Sequence, residues 1–436
     1  MSQQSKNEGL GTFSALSIGI GGMVGGGIFA VTGLTIDMTK GAAPVAFIVA
    51  GIVALLTAYS YLKLSLTYPG QGGTVEYLNR AYGTGVFTGS INILLTISYV
   101  VLLAIYAYAF GSYGAGFFPH KDYVFWQHTL ISGIIILLTI INLFGAHIVV
   151  KSENFFNLTK MILLGAFIVI GLATPLKLSH LSFHVYVPSW QIVSGAMIIF
   201  LNYEGFELIA NSAPDVKNPK KSLPFAFFGG VVIVIILYAL IAITVVGHLG
   251  FPQIAHHSDY ALETAAKSFL GYSGFLIIAV AALLATSSAM NATLYGSGRL
   301  TYVIAKTGEL PAELERSILH EHPEGMIIYA VFSLIMANFF PLNAIATMGS
   351  AGFLLIFMAV NISNVRLAKK TNSKSWISWA GAVACGIALI AICWQVWQKP
   401  SNRSQLLILV AMIAISFVIE VIYRLITKRE INLIEL

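Results

Sequence analysis

Long apolar stretches dominate this chain, and short polar segments separate them. Neither the alternation of a half-buried strand nor the one-sided stripe of a soluble helix runs through them. A helix needs ~20 mostly apolar residues to cross the hydrocarbon of a bilayer. By that measure the chain predicts about twelve spans, at residues 12–34, 42–66, 86–117, 127–144, 153–173, 189–213, 223–248, 271–305, 326–341, 344–367, 376–398 and 405–426. The third and eighth are long enough to tilt or to extend beyond the bilayer. The ninth and tenth meet at Pro341-Leu342-Asn343.

Two of these spans are interrupted. Between Gly19 and Phe29 the first carries Gly19, Gly21, Gly22, Gly25, Gly26 and Gly27, each costing roughly 1 kcal/mol against alanine in a helix. The sixth carries Asn202, Glu204 and Glu207 at mid-membrane depth, around Gly205. The first helix is expected to be non-helical near Gly21–Gly27 and the sixth near Asn202–Gly205, and these breaks open two sets of five spans. Five is odd, so the second set enters from the opposite face. Such units, each opening on a broken helix, place a ligand site at the midplane between the breaks. The expected fold is all-α and integral to the membrane. Residues 1–185 form a first inverted repeat of helices one to five, and 186–370 a second of helices six to ten. Residues 371–436 add helices eleven and twelve and a C-terminal tail.

Composition agrees: 57% of the 436 residues are hydrophobic and only 10% charged, against roughly 25% charged in soluble domains. The net charge of +6 does not point to nucleic acid, because the Lys and Arg residues gather at the ends of apolar runs. Placing the N-terminus in the cytoplasm puts 17 of them on the cytoplasmic side, from Lys6, Lys63 and Arg80 to Arg424, Lys428 and Arg429. Six fall opposite, namely Lys40, Lys121, Lys177, Lys267, Lys399 and Arg403. That asymmetry makes both termini cytoplasmic. The polar start at 1–11 and the glycine-rich run after it do not read as a removable leader, so the first helix drives insertion. Cys385 and Cys393 lie in one apolar run, ~12 Å apart along a helix, too far to pair with each other.

The glycine break carries chemistry. Freed backbone groups in mid-membrane must face protein or a water-filled cavity. Half-helix N-termini and free N–H groups attract a carboxylate; free carbonyls attract an ammonium or a metal cation. A zwitterion suits both ends, while close helix packing is the structural alternative. Lys160 lies about two turns inside the fifth span, beyond Glu153. It either snorkels to the headgroups or is buried, where desolvation disfavours the charged amine and lets it exchange a proton. Ser287 and Ser288, with Asn291 one turn on, either bond back to their own helix or serve a Na⁺ ion or a lysine. Glu204 reads as structural, a cap for freed N–H groups; Glu207 stays open between that role, proton sensing and contact with a substrate amine. His248, His256 and His257 fall in an external loop and read as solvated. A nucleotide-driven pump is set aside, since no P-loop signature occurs.

These residues carry a resemblance. The run from Gly19 to Phe29, the segment Pro69-Gly70-Gln71-Gly72-Gly73-Thr74-Val75-Glu76-Tyr77, and Tyr203-Glu204-Gly205-Phe206-Glu207 match the amino acid–polyamine–organocation superfamily of permeases. So does Pro214-Asp215-Val216-Lys217-Asn218-Pro219-Lys220-Lys221-Ser222-Leu223-Pro224, and the likeness covers nearly the whole chain. Ser287 to Thr293, Lys306-Thr307-Gly308-Glu309-Leu310-Pro311 and Asn154-Phe155-Phe156 before Lys160 resemble its archaeal broad-specificity, proton-coupled members. The resemblance implies the 5+5 inverted-repeat fold of the leucine-transporter type. It implies that the Lys160 amine stands where relatives hold Na⁺, touching the Gly21 carbonyl and a hydroxyl at Ser287 or Ser288. Glu207 resembles the acidic residue of an arginine–agmatine exchanger branch, which leaves one or two proton-carrying groups.

The expected function is uptake of amino acids by proton symport through alternating access, in the plasma membrane, with the proton as coupling ion and no other cofactor. An exchanger of the same fold and a non-transporting amino acid sensor are the alternatives. Lys160 argues against sodium coupling, and no nucleophile–base pair suggests an enzyme. The substrate carboxylate is expected at the N–H groups of Gly25, Gly26 and Gly27. Its amine is expected at carbonyls around Ile199, Phe200 and Tyr203 and near Gly21. Lys160 is expected to lie buried among Phe155, Phe156, Met161 and Leu163.

Overall fold

The computed structural model describes residues 9–70, 72–145, 147–306, 323–400 and 403–427. Lys6, Arg316, Lys428 and Arg429 of the charge argument, Gln71 and the Thr307–Pro311 part of the resemblance lie outside the described residues. The elements are helices: α1 Thr12–Met23, α2 Gly27–Thr39, α3 Ala43–Thr67, α4 Gly73–Tyr82, α5 Val86–Ala115, α6 Tyr123–Gly145, α7 His147–Ala173, α8 Ser189–Phe200 and α9 Phe206–Asn211. After them come α10 Pro219–Pro224, α11 Gly230–His248, α12 Phe251–His256, α13 Ala261–Lys306, α14 Pro323–Phe339, α15 Leu342–Arg366, α16 Ala368–Thr371, α17 Ser375–Gln398 and α18 Arg403–Thr427.

Ten of the helical segments are long and apolar enough to cross a membrane unaided, and the pair α1 and α2, bent by 51°, supplies another. The segment Glu324–Phe339 is apolar but shorter. With it the expected twelve spans are accounted for; most boundaries lie within a few residues of those expected, but the eighth span begins at Ser258 rather than 271 and the fourth at His120 rather than 127. This is a multi-pass integral membrane protein. Its outer faces carry exposed Ile, Val, Leu and Phe, such as Leu407, Val410 and Ile422 on α18 and Ile136 and Leu137 on α6, the surface expected of a chain solvated by lipid.

Packing divides the helices into two groups. In one, α3 lies against α11 and α8, α1 against α9 and α11, and α2 against α8. In the other, the 30-residue α5 is surrounded by α6, α13, α14, α15 and α18, and α7 packs on α13. The two broken spans belong to the first group, and α2 also touches α5 and α13 of the second.

Three local features were not expected. The second span is followed by α4, which starts at Gly73 with φ +44°; an asparagine side chain from α9 already fills the space a Cβ would need there. The long eighth span turns at Gly271, with φ 61° and ψ −144°, so residues 261–270 form a separate helical segment before it. The chain also closes over both ends of the first span. At one end Leu10 N–H donates to Asp215 O (2.7 Å) and Lys217 N–H to Leu10 O (2.8 Å). At the other, Lys40 pairs with Tyr186 and Gln191 Nε2 donates to Met38 O (2.8 Å).

Candidate functional site: the two broken helices

The break in the first span is narrower than the glycine run. Helix α1 continues to Met23 and α2 begins at Gly27, so only Val24, Gly25 and Gly26 leave the helix. Gly21 was expected to be unwound and is helical. It nonetheless lies in the last turn of α1, where carbonyls have no helical partner. Those carbonyls are met from other elements. Lys160 Nζ donates to Gly21 O at 2.9 Å, and the Tyr238 hydroxyl of α11 donates to Met23 O at 2.5 Å. A cation at a helix C-terminus is favoured by the aligned peptide dipoles.

Lys160 is 1% exposed, and its amine turns to Gly21 rather than to the membrane surface. Its expected neighbours need one correction: Phe155 is 66% exposed and faces outward. Five residues advance ~140° around a helix past a full turn, so Phe155 and Lys160 cannot share a face, whereas Asn157 and Lys160 can. Asn157 lies against Gly21, with its Nδ2 2.5 Å from where a Cβ would stand. A side chain at Gly21 would push Asn157 and Lys160 away together.

Ser287 donates to Leu283 O at 2.7 Å within α13, the back-bonding alternative, and Ser288 is buried on the same helix. Asn291 accepts from Asn142 Nδ2 of α6 at 2.6 Å. These residues therefore tie α13 to itself and to α6. Because α7 packs on α13, Ser287, Ser288 and Lys160 belong to adjoining helices.

Gly25, Gly26 and Gly27 come together with groups from three other elements. A Cβ on Gly25 would stand 3.2 Å from Ala289 Cβ and 3.4 Å from the Tyr106 hydroxyl. One on Gly26 would meet Thr286 Cγ2 at 2.7 Å and Tyr106 Cδ1 at 2.9 Å. One on Gly27 would fall 1.8 Å from Asn202 Oδ1. Helix α2 therefore starts in a cradle of α5, α13 and the sixth-span break, and glycine is required there for close approach.

The sixth span was expected to be non-helical near Asn202–Gly205; its α-helix is interrupted there, but the backbone stays wound and Ser189–Asn211 runs as one span, without a bend like that of the first. Helix α8 ends at Phe200, residues Leu201–Tyr203 form a 3-10 turn, and α9 restarts at Phe206. Ile199, Phe200 and Tyr203 are all fully buried. Tyr203 spends its hydroxyl on Phe47 O at 2.9 Å, holding the break against α3. Glu204 does not cap α9: that helix has Gly205 at its N-cap and no side-chain cap, and Glu204 Oε2 is buried with no donor among the described residues.

Glu207, 2% exposed, accepts from the Thr74 hydroxyl of α4 and from the Tyr99 hydroxyl of α5 at 3.1 Å. Thr74 in turn meets the Tyr61 hydroxyl at 2.6 Å. One carboxylate thus joins the sixth span, α4 and α5. Thr74 falls in the glycine-rich segment after the second span, but nothing in the sequence paired it, or Tyr99, with Glu207. His248, His256 and His257, expected in an external loop, do not gather into a site. His248 is shared between Thr174 and Thr244, and His257 Nδ1 lies 2.8 Å from the Tyr260 hydroxyl. Among the described residues no three His, Cys, Asp or Glu side chains converge as a metal site. Cys385 and Cys393 are both free thiols.

Two broken helices meeting at buried polar groups inside a multi-pass helical membrane protein are the architecture of a secondary transporter. The comparison with known families makes this specific: the amino acid permease profile matches residues 10–422. The chain belongs to that family, within the amino acid–polyamine–organocation superfamily. It is similar to an uncharacterised protein of Methanocaldococcus jannaschii, 34% identical over 97% of both chains. It is also similar to the inner membrane transport protein YbaT of Escherichia coli, 31% identical over 91% of this chain and 92% of that one. To the branched-chain amino acid permease BcaP of Lactococcus lactis it is 25% identical, over 84% of this chain and 83% of that one. The protein is a transporter of amino acids or organic cations and not an enzyme.

Proposed function

We propose that this chain takes up amino acids by proton symport through alternating access, with Lys160 as the coupling group. The observation that carries the reading is the 2.9 Å bond from the buried Lys160 amine to the Gly21 carbonyl. Two influences oppose each other at that nitrogen. Burial disfavours the ammonium, while a carbonyl at a helix C-terminus favours it. Their balance changes whenever α7 and α1 move relative to each other. Charged, Lys160 ties the fifth span to the first; neutral, it releases α1. Protonation is thereby coupled to the motion of a half-helix, with the proton as coupling ion. Glu207 is the second candidate proton carrier.

In this reading the inverted repeats are residues 1–185 and 186–370, followed by 371–436. The protein lies in the plasma membrane with both termini cytoplasmic. The substrate carboxylate sits at Gly25, Gly26 and Gly27. Its amine reaches carbonyls at Ile199, Phe200 and Tyr203.

The test is a thermal-shift screen of the twenty amino acids with the purified protein, then uptake of the best ligand into proteoliposomes. Uptake should accelerate and concentrate the amino acid when the outside is made acidic. Uptake that requires internal amino acid, and ignores the proton gradient, would show exchange instead. Saturable binding without uptake would show a sensor.

A further inference from the structure

The 3-10 turn Leu201–Tyr203 carries one polar side chain that the symport reading leaves unused. Asn202 is 3% exposed, yet neither its Oδ1 nor its Nδ2 has a hydrogen-bond partner among the described residues. An unsatisfied buried polar group costs about 1–3 kcal/mol, and here both ends of one carboxamide are in that position. The neighbouring polar side chain of the turn is committed elsewhere, since the Tyr203 hydroxyl serves Phe47 O.

The carboxamide points at the start of α2. A Cβ on Gly27 would meet Asn202 Oδ1 at 1.8 Å, Cγ at 2.7 Å and Nδ2 at 3.3 Å. Helix α2 has 13 residues, starts at the N-cap Gly26 and has no side-chain cap of its own. Phe29 and Ala30 N–H reach back to Gly26 O, whereas the N–H groups of Gly27 and Ile28 lie ahead of the first helical acceptor, and the helix dipole favours an anion there. Two independent sets of unmet donors therefore converge: the N–H groups of one broken span and the amide of the other. A half-turn of the carboxamide exchanges its oxygen and nitrogen, so either edge can face Gly27.

We propose that Asn202 is a substrate ligand that reads the α-carboxylate. Its Nδ2 donates to the same carboxylate that the α2 N-terminus holds, and its Oδ1 accepts from the adjacent α-ammonium. The site then selects α-amino acids over the corresponding decarboxylated amines, which would leave both donor sets unmet. A site built to bond a polar group rejects analogues lacking it far more strongly than an apolar pocket rejects a missing methylene. The inference rests on the amino acid reading above and deepens it.

The experiment measures binding to the purified full chain. Its probes are the amino acid giving the largest thermal shift and the amine made by removing its carboxylate. Two variants keep the branch at Cγ, the isosteric Asn202→Asp and the bulkier, apolar Asn202→Leu. Wild type should bind the amino acid at least tenfold more tightly than the amine. Asn202→Leu should lose at least tenfold in amino acid affinity and clearly less in affinity for the amine, which forfeits only the bond from its ammonium to Oδ1. Asn202→Asp, which sets a negative charge beside the carboxylate, should bind the amino acid worse than Asn202→Leu does and the amine better than wild type does. Unchanged amino acid affinity in Asn202→Leu overturns the proposal, and so does an equal loss of both ligands. Should Asn202→Leu fail to fold, the reversed preference of Asn202→Asp decides alone. A wild-type protein that binds none of the twenty amino acids sinks the transport reading as well, whereas normal wild-type binding with indifferent variants sinks only the role of Asn202.

Discussion

The contact between the two broken helices depends on Gly205. A Cβ built there would stand 2.3 Å from the Met23 nitrogen, 2.7 Å from the Gly22 carbonyl carbon and 2.8 Å from Gly19 O. All three are backbone atoms, so no side chain can swing aside. Ordinary contact begins near 3.4 Å, and Gly205→Ala must therefore part α1 from the sixth-span break by about 1 Å, a displacement at which positioned groups lose function. Overpacking a fitted interior costs typically 1–3 kcal/mol, and a backbone-on-backbone clash belongs at the upper end. The same displacement carries Gly21 O relative to Lys160 Nζ, stretching a 2.9 Å bond beyond the range in which N–H···O bonds hold. Gly205→Ala should thus lower the melting temperature of the purified protein and abolish proton-driven uptake together. Gly133→Ala on α6 is the control, since nothing lies within 4 Å of its Cβ; it should be neutral or stabilising by up to about 1 kcal/mol. If Gly205→Ala melts and transports as wild type does, the two breaks do not touch in this way and the site built on them fails.

Lys160→Ala should remove proton-driven accumulation while the protein still folds, and Lys160→Arg should fail too, because a guanidinium does not release its proton in this range. Accumulation against a gradient by Lys160→Ala would move the coupling role to Glu207. Gly26→Leu should abolish ligand-induced thermal shifts, since even the first carbon would collide with Thr286 and Tyr106; undiminished shifts would remove the cradle from the binding site. In the segment between α12 and α13, partial burial and then the neighbouring His256 and His120 hold the His257 pKa below its ordinary value of 6.5. The unfolded chain then takes up a proton at that residue more readily than the folded one, so the stability it contributes falls as pH drops through the ordinary histidine range. His257→Gln should lose less melting temperature than wild type between pH 7.5 and pH 5.5, by ratios read in parallel melts at roughly these two values on either side of that range.

How much of this was legible in the sequence depends on the kind of signal each residue left. Span number and limits follow from the length of apolar runs, because a bilayer sets one thickness for every helix that crosses it. Both breaks are legible too: six glycines in the first span and Asn202, Glu204 and Glu207 in the sixth defeat a continuous helix in hydrocarbon by propensity and by desolvation. Lys160 announces itself as a lone cation inside a span. Partners of these residues are another matter. Glu207 meets Thr74 and Tyr99, which stand 133 and 108 positions away in the chain. No periodicity within a span encodes which helix lies across from it. The face that Phe155 presents, the direction in which Ser287 turns its hydroxyl, and the unwinding of three residues rather than seven in the first span were likewise settled by packing. In lipid the apolar surface of one helix is as well solvated by acyl chains as by another helix, so hydrophobic pattern fixes what enters the membrane. Close fit between small residues and the need to satisfy each freed backbone group then decide which helices meet.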